Sequence, residues 1–428
     1  MPSGARFSIV ASPDSPIVEF DDALLDQLSC EGDPEADAVI AAHMAATGHA
    51  DVKVLMRDIG EALAFPPTTG SRPSDGPLLH YLSAAPPLPE WVDDGRMNRA
   101  AQVFLDNALG IGQALFCASL PEAYASPRGA RVLTLTARLT RDPVRRISET
   151  AQMVYDVVTS QGLVPVVLTE QRGPSGVGYA DARRVRLMHA AVRWFILHDA
   201  SVEHRQGPPA ATTVEPVWFD EWGIPLNQED LLGTLMTFTV AVFEALERSG
   251  EALDDADAEA YLHRWCVVGH LMGIRADLLP FDLATARSLT ASIRRRQQRT
   301  SADGKALTAA LITPLRASLP LRPLRGIVPA LIRHLITPRI AAMIGVRVNL
   351  WELVVDGPLR LLNAVGTRWL RREIHHSPII RWLSRYAARR LVGVFLGANR
   401  SSGRPAFAIP DEMRPAIEGR IPKRWRLP

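Results

Sequence analysis

The sequence predicts an all-α protein, and three observations carry that prediction. Ala, Leu and Arg are abundant, whereas aromatic residues make up only 6% of the chain. Apolar residues recur three and four apart through most of its length, the period of helices with one buried stripe. Long alternating runs of β-branched residues, the mark of half-buried strands, are rare. With 47% hydrophobic residues among 428, such helices have ample apolar surface to close a large core.

The elements follow in chain order. Residues 1–20 are expected to be disordered or extended. Asp21 to Ala46 reads as a helix with its acidic residues opposite the apolar stripe. Residues 62–89 are broken repeatedly by Pro and Gly and read as irregular. The segment Leu88-Pro89-Glu90-Trp91-Val92-Asp93 leads into a helix from Met97 to Ala118, in which Gly110, Gly112 and Ala114 suit close approach of a helix or ligand. Asp142 and Pro143, a cap and a first-turn proline, open a helix that ends near Ser160. Gly173 to Gly178 is a linker. No strand precedes it and no Lys-Ser/Thr pair follows, so it fails as a phosphate cradle. A helix then covers Asp181 to Leu197. After a turn at Trp218–Pro225, Asn227 to Asp230 cap the apolar helix Leu231–Leu246. Helices over Asp254–Met272, Leu283–Arg299 and Leu307–Leu315 complete a body spanning 21–315.

Charge divides the chain. From Arg316 to Pro428 there are 21 Lys/Arg against 6 Asp/Glu, a balance of +15, whereas the preceding residues carry −13. Prolines recur in this basic region, and its arginines interrupt short amphipathic runs. Two readings are open: a basic cover on an acidic body, or a surface for anionic lipid headgroups at a membrane. No nucleic-acid module accompanies the charge, so no nucleic acid is expected as partner. Cys30, Cys117 and Cys266 are few and far apart, which implies no disulfide framework. No signal-like run opens the chain, and the longest uncharged apolar stretch, Leu231–Phe243, falls short of the roughly 20 residues of a membrane span. A cytoplasmic protein, at most peripheral to the inner face of the membrane, is the expectation.

Chemistry concentrates on the helix 181–197. At 100° per residue Val185, Arg186, His189, Val192, Arg193 and Ile196 share one face. Burying two guanidiniums beside an imidazole costs several kcal/mol unless anions meet them. Haem would satisfy both needs, with iron for His189 and propionates for Arg186 and Arg193. The alternative is a hydrogen-bonded core histidine between arginines that snorkel to the surface. A second anomaly lies on the helix from Pro143, where Arg146 and Thr150 share the apolar face of Met153, Val154 and Val157. An internal ion pair and a back-bonded hydroxyl would also account for it. On the helix 254–272, His263, Cys266 and His270 share a face, but zinc needs four ligands and no second Cys/His pair lies near. Hydrogen-bonded core histidines are the simpler reading there.

Several segments together resemble the rubber oxygenases (latex-clearing proteins) and the fungal oxygenase that shortens a farnesyl chain in mycophenolic acid synthesis. They come in family order over residues 20–315: LPEWVD, SLPEAYA (Ser119–Ala125), RRISETAQ (Arg145–Gln152), VRLMHAAVR (Val185–Arg193), PLNQEDLLGT (Pro225–Thr234) and YLHRWCVVGHLMGI with LLP (Tyr261–Pro280). The resemblance implies a helical, globin-related fold holding non-covalent haem b. It also implies an oxygenase acting with O2 on a lipophilic, possibly isoprenoid, small molecule. By it, His189 is the iron ligand and Arg146 and Thr150 are the catalytic distal pair. The cofactor-binding set is His189, Arg186, Arg193, His263 and His270. One departure is plain: a lysine precedes the distal threonine in the rubber-cleaving group, and here that residue is Glu149. Export signals of rubber-cleaving members are also missing, which argues against polymeric rubber as substrate. A non-catalytic haem sensor or carrier, and a cofactor-free helical protein that docks on membranes, are the rival readings.

Overall fold

The structure, a computed structural model, describes residues 20–48, 55, 59, 76–137, 143–159, 161–165, 176–198, 203–205, 217–317 and 322–352. Within them the protein is all-α. Its helices are α1 Asp22–Ser29, α2 Pro34–Thr47, α3 Pro77–Ser83, α4 Asp94–Asp106, α5 Ala108–Ala114, α6 Leu120–Tyr124, α7 Pro127–Ala137 and α8 Pro143–Val158. They continue with α9 Val177–His198, α10 Gln228–Phe238, α11 Val240–Ser249, α12 Asp255–Leu271, α13 Leu283–Gln297, α14 Ala302–Ala317, α15 Ile327–Leu335 and α16 Pro338–Met343. Two three-residue strands, β1 Glu203–Arg205 and β2 Val217–Phe219, pair in parallel beside them.

Acidic and amide caps set most helix starts. Asp21, Asp93, Asn227, Asp254 and Asp282 each accept a backbone N–H of the first turn, at 2.7–2.9 Å. Several expected helices are broken, each for a local reason. The run from Asp21 divides because Pro34 cannot continue α1; it starts α2 instead, with Asp33 as cap. Ala108 to Tyr124 contains a π turn at Leu115–Ser119. The apolar run from Leu231 breaks at Thr239, where the Thr237 and Thr239 hydroxyls donate back to the Thr234 and Leu235 carbonyls. Ser119 from the π turn donates to the Thr237 carbonyl, so the two irregularities hold each other. A short helix, α3, stands in the stretch read as irregular.

The central helix is α12. Every residue from Ala260 to Gly269 is buried, the signature of a helix covered on all sides. Its Arg264 is 1% exposed and has no carboxylate. The guanidinium donates to the Met97 and Val157 carbonyls, each at 2.8 Å, and to that of Thr159. It thereby caps the C-terminal end of α8 and ties it to α4. Ion pairs knit the other side: Arg294 bridges Glu122 at 2.5 Å and Glu244 at 2.7 Å, and Arg131 meets Asp303 at 2.8 Å.

The body does not stop at residue 315. Val328, Leu331, Ile332, Leu335, Ile340 and Val346 belong to the main core cluster, and Arg248 donates to the Leu335 carbonyl at 2.6 Å. The basic composition that begins at Arg316 therefore marks a change of surface rather than the edge of the core. Residues 353–428, with most of that basic region, and residues 1–19 lie outside the described residues. The thiols of Cys30, Cys117 and Cys266 are free. Among the described residues no single helix is long and apolar enough to cross a membrane.

Replacing Arg264 by Met should lower stability by about 3 kcal/mol, because three buried carbonyls lose a charged donor while the stem volume is kept. Denaturant titration of the purified variant measures it. A midpoint equal to that of the parent would show that water satisfies those carbonyls.

Candidate functional site

Helix α9 positions the residues singled out on its sequence. Its face with Ala190, Ala191, Phe195 and Ile196 is buried against neighbouring helices, and the titratable side chains sit beside that face. Burial, with the Arg193 charge adding to it, lowers the His189 pKa to about 4, so the ring is neutral. The residue nonetheless keeps accessible surface. No hydrogen bond reaches it from the described residues, and its Nδ1 is cut off from solvent without a partner.

Arg193, one turn further, is 2% exposed. Its nearest carboxylate oxygen is Asp37 Oδ1 at 3.3 Å, and Nε, Nη1 and Nη2 all lack hydrogen-bond partners. Burial pushes its pKa down and that of Asp37 up. A planar group with five donors and one loose ion pair is under-satisfied, and a further anion would be stabilised there. Gly32 makes room for it: a Cβ at that position would stand 3.0 Å from Arg193 Nε and 2.8 Å from Asp37 Oδ2.

Arg186 behaves differently. Its Nε and Nη2 donate to the two Asp33 oxygens at 2.5 and 2.8 Å, and Nη2 also donates to Glu35 at 2.8 Å. The fork expected to face a propionate is thus spent on the start of α2. The helical period alone does not single out Asp33, Glu35 and Asp37. Their signal is Asp-Pro-Glu-Ala-Asp, a proline-capped first turn with carboxylates two apart. Gly273, at φ +97°, turns the chain after α12 and leaves room for the Asp33 carboxylate.

The two histidines of α12 separate. His263 is buried, and its Nε2 accepts the Asp93 N–H at 3.0 Å. Burial lowers its pKa to about 4. This nitrogen holds the LPEWVD segment in place, a structural use of the His263 ring. His270, two turns later, has a buried Nδ1 without a partner. Its pKa is lowered by burial, with Arg186 adding to the shift, which sets it beside the Arg186 cluster. Trp91 packs edge-on against both rings, with centroids 5.7 Å from His263 and 6.1 Å from His270.

Helix α8 runs antiparallel to α9. Tyr179 N–H donates to the Gly162 carbonyl at 2.7 Å, Gly178 abuts Asp156 and Val157, and Asp156 shares a hydrogen bond with Asp181. The periodicity of α8 proves right for Val154 and Val157, which are buried, but Thr150 is exposed. Spacing tells which face a residue occupies, not how far along the helix its cover extends. The Arg146 and Glu149 side chains lie outside the described residues. Burial, reinforced by the facing Asp181, raises the Asp156 pKa. Gln152 donates to both Asp156 oxygens at 3.0 Å, and Arg184 meets Asp181 at 2.8 Å.

Among the described residues no group of three or more His, Cys, Asp or Glu could hold a bare metal ion. What the protein offers at α9 is one neutral imidazole with a free nitrogen beside one under-satisfied guanidinium. That donor set fits an iron porphyrin, which needs a single axial nitrogen and a countercharge for its carboxylates.

Comparison with known proteins follows the same line. The sequence profile described as "ER-bound oxygenase mpaB/B'/Rubber oxygenase, catalytic domain" matches residues 101–371. A rubber oxygenase of Streptomyces sp. (strain K30) is 26% identical over 402 residues, covering 90% of this chain and 86% of that protein. The structure of a latex clearing protein in the closed state is similar at a TM-score of 0.63 and 24% identity, over 90% of this chain and 95% of that one.

The neutral buried histidines give a pH prediction. Between the ordinary histidine value near 6.5 and about 4, the unfolded chain binds protons that His189 and His263 refuse in the fold. Stability on their account is therefore full above pH 6.5 and is lost as pH falls toward 4. In His263→Gln, which keeps an acceptor for Asp93, the denaturation midpoint should fall less steeply across that window than in the parent. Parallel slopes would mean that His263 is protonated in the folded state.

Proposed function

Because the chain belongs to the mpaB/rubber oxygenase catalytic-domain family and is an oxygenase, we propose that it works with haem b. Its substrates on this reading are dioxygen and a lipophilic, isoprenoid-like small molecule. The observation that carries the haem reading is His189: a neutral, enclosed imidazole whose nitrogens meet no partner among the described residues, one turn from the under-satisfied Arg193. A core histidine of purely structural use would be hydrogen-bonded, as His263 is.

His189 would hold the iron through a ring nitrogen, and its neutrality means that no proton has to be displaced first. Arg193 would pair with a propionate and gain the acceptors it lacks. Arg186 supports this indirectly, since its clasp on Asp33 fixes the start of α2 and with it the Asp37 carboxylate. His270, with its unpartnered nitrogen, lines the same quarter. Haem supplies the redox chemistry with dioxygen, while the helices provide orientation and a dry pocket. Arg146 on α8 would be the donor toward the reacting oxygen, and Thr150, one turn on and exposed, would orient it. The substrate class rests on the family and on the relative's name, rubber oxygenase.

The purified protein should show a Soret band, or acquire one when titrated with hemin, at about one haem per chain. His189→Ala should abolish it, and Arg193→Ala should weaken hemin binding while leaving the helical circular dichroism intact. A chain that stays colourless after titration overturns the haem reading.

Arg146→Ala should retain haem and lose about a hundredfold or more of oxygen consumption with an oligo-isoprenoid substrate, the usual loss when one preorganised donor is removed. Undiminished turnover in this variant would remove Arg146 from the catalytic set.

A further inference from the structure

We propose that a groove formed by α14 and the segment after α16 docks the protein on a bilayer of anionic lipid. The groove encloses about 720 Å³. Lys305 and Arg316 line it from α14, and Arg333 and Arg347 from the facing side, over a floor that includes Ile312 and Ile344. Arg333 is committed, to Glu352 at 2.8 Å and to the Val346 carbonyl at 3.0 Å. Lys305, Arg316 and Arg347 are exposed and make no ion pair with the described residues. Three cations thus surround one concavity without a carboxylate of their own.

Beside them stand the two most exposed large apolar side chains of the described residues, Val348 at 71% and Leu350 at 82%. Their exposure is built in. The Asn349 side chain accepts the Trp351 N–H at 2.9 Å, and Glu352 accepts that of Asn349 at 3.1 Å. The Trp351 ring lies against Gly326, where a Cβ would stand 3.0 Å from its Nε1. With Trp351 turned inward and the backbone locked, Val348 and Leu350 point outward next to the cations. Cations ringing a pair of protruding aliphatic side chains match the two layers of a bilayer surface, anionic headgroups and the acyl boundary beneath. The chain's own remainder is a poor occupant, since residues 353–428 hold 15 Lys/Arg against 5 Asp/Glu and would repel the groove.

Docking needs neither haem nor turnover, so its test is separate from that of the oxygenase reading. The full chain is sedimented with phosphatidylglycerol-containing vesicles and with pure phosphatidylcholine vesicles. Binding should appear with the first, fall as salt rises, and be nearly absent with the second. Each cation near an anionic surface contributes roughly fivefold in partitioning. Lys305→Glu, Arg316→Glu and Arg347→Glu together should lower binding by about a hundredfold or more. Val348→Ser with Leu350→Ser should lower it by about tenfold, largely independent of salt. The control carries the same charge change in the remainder, Arg389→Glu, Arg390→Glu and Arg400→Glu, and should lose clearly less than the groove variant. All these positions are either exposed or outside the core described, and circular dichroism checks that each variant folds. The proposal is overturned by no binding to anionic vesicles, by equal binding to neutral ones, or by a control that loses as much as the groove variant.

Discussion

Buried guanidinium groups govern how this protein is put together. A helix that carries Arg183, Arg186 and Arg193 toward its packed side can be buried only if acceptors arrive from elsewhere. Arg183 finds the Tyr81 and Ala84 carbonyls at the end of α3. Arg186 finds Asp33 and Glu35 at the start of α2. Arg193 finds only Asp37, and loosely. The N-terminal helices are therefore held against α9 by its arginines as much as by the apolar contact of Ile40, Met44 and Leu187. The one arginine left short of acceptors stands beside the one histidine of α9 left without a partner.

Helix α12 does the same work from the other side of the core. Arg264 fixes the end of α8 and His263 fixes the approach of the Trp91 segment. Since α8 also meets α9 through Asp156 and Asp181, the helix with Arg146 and Thr150 is located at two points relative to His189. Neither point is an apolar contact. Directional polar contacts specify distance and angle more sharply than apolar packing does, which suits a site where a ligand atom and a distal donor must face each other.

The resemblance stated from the sequence motifs agrees with the family profile and with the similar all-helical structure. Physical reading and motif reading contributed differently. The helical period found α9 and α12 and the buried stripe of α8 at Val154 and Val157. Thr150 shares that stripe but is exposed. The same period sets His263 and His270 on one face as equals, although one accepts a backbone amide and the other keeps an unpartnered nitrogen. The composition change at Arg316 suggests a domain edge, yet α15 and α16 bury Leu331, Ile332 and Ile340 in the same core.

From its sequence alone the chain settles what depends on neighbours in sequence: helical period, caps such as Asp33-Pro34 and Asp254, and the arginine–histidine–arginine spacing on one face. These follow from backbone geometry, which reaches only one or two turns. Tertiary structure decides which of those arginines is free to serve a ligand. That depends on where Asp33, Glu35 and Asp37 come to lie, more than 150 positions away along the chain for Arg186. A guanidinium's role is set by the acceptors around it, and no local pattern records which distant carboxylate will arrive.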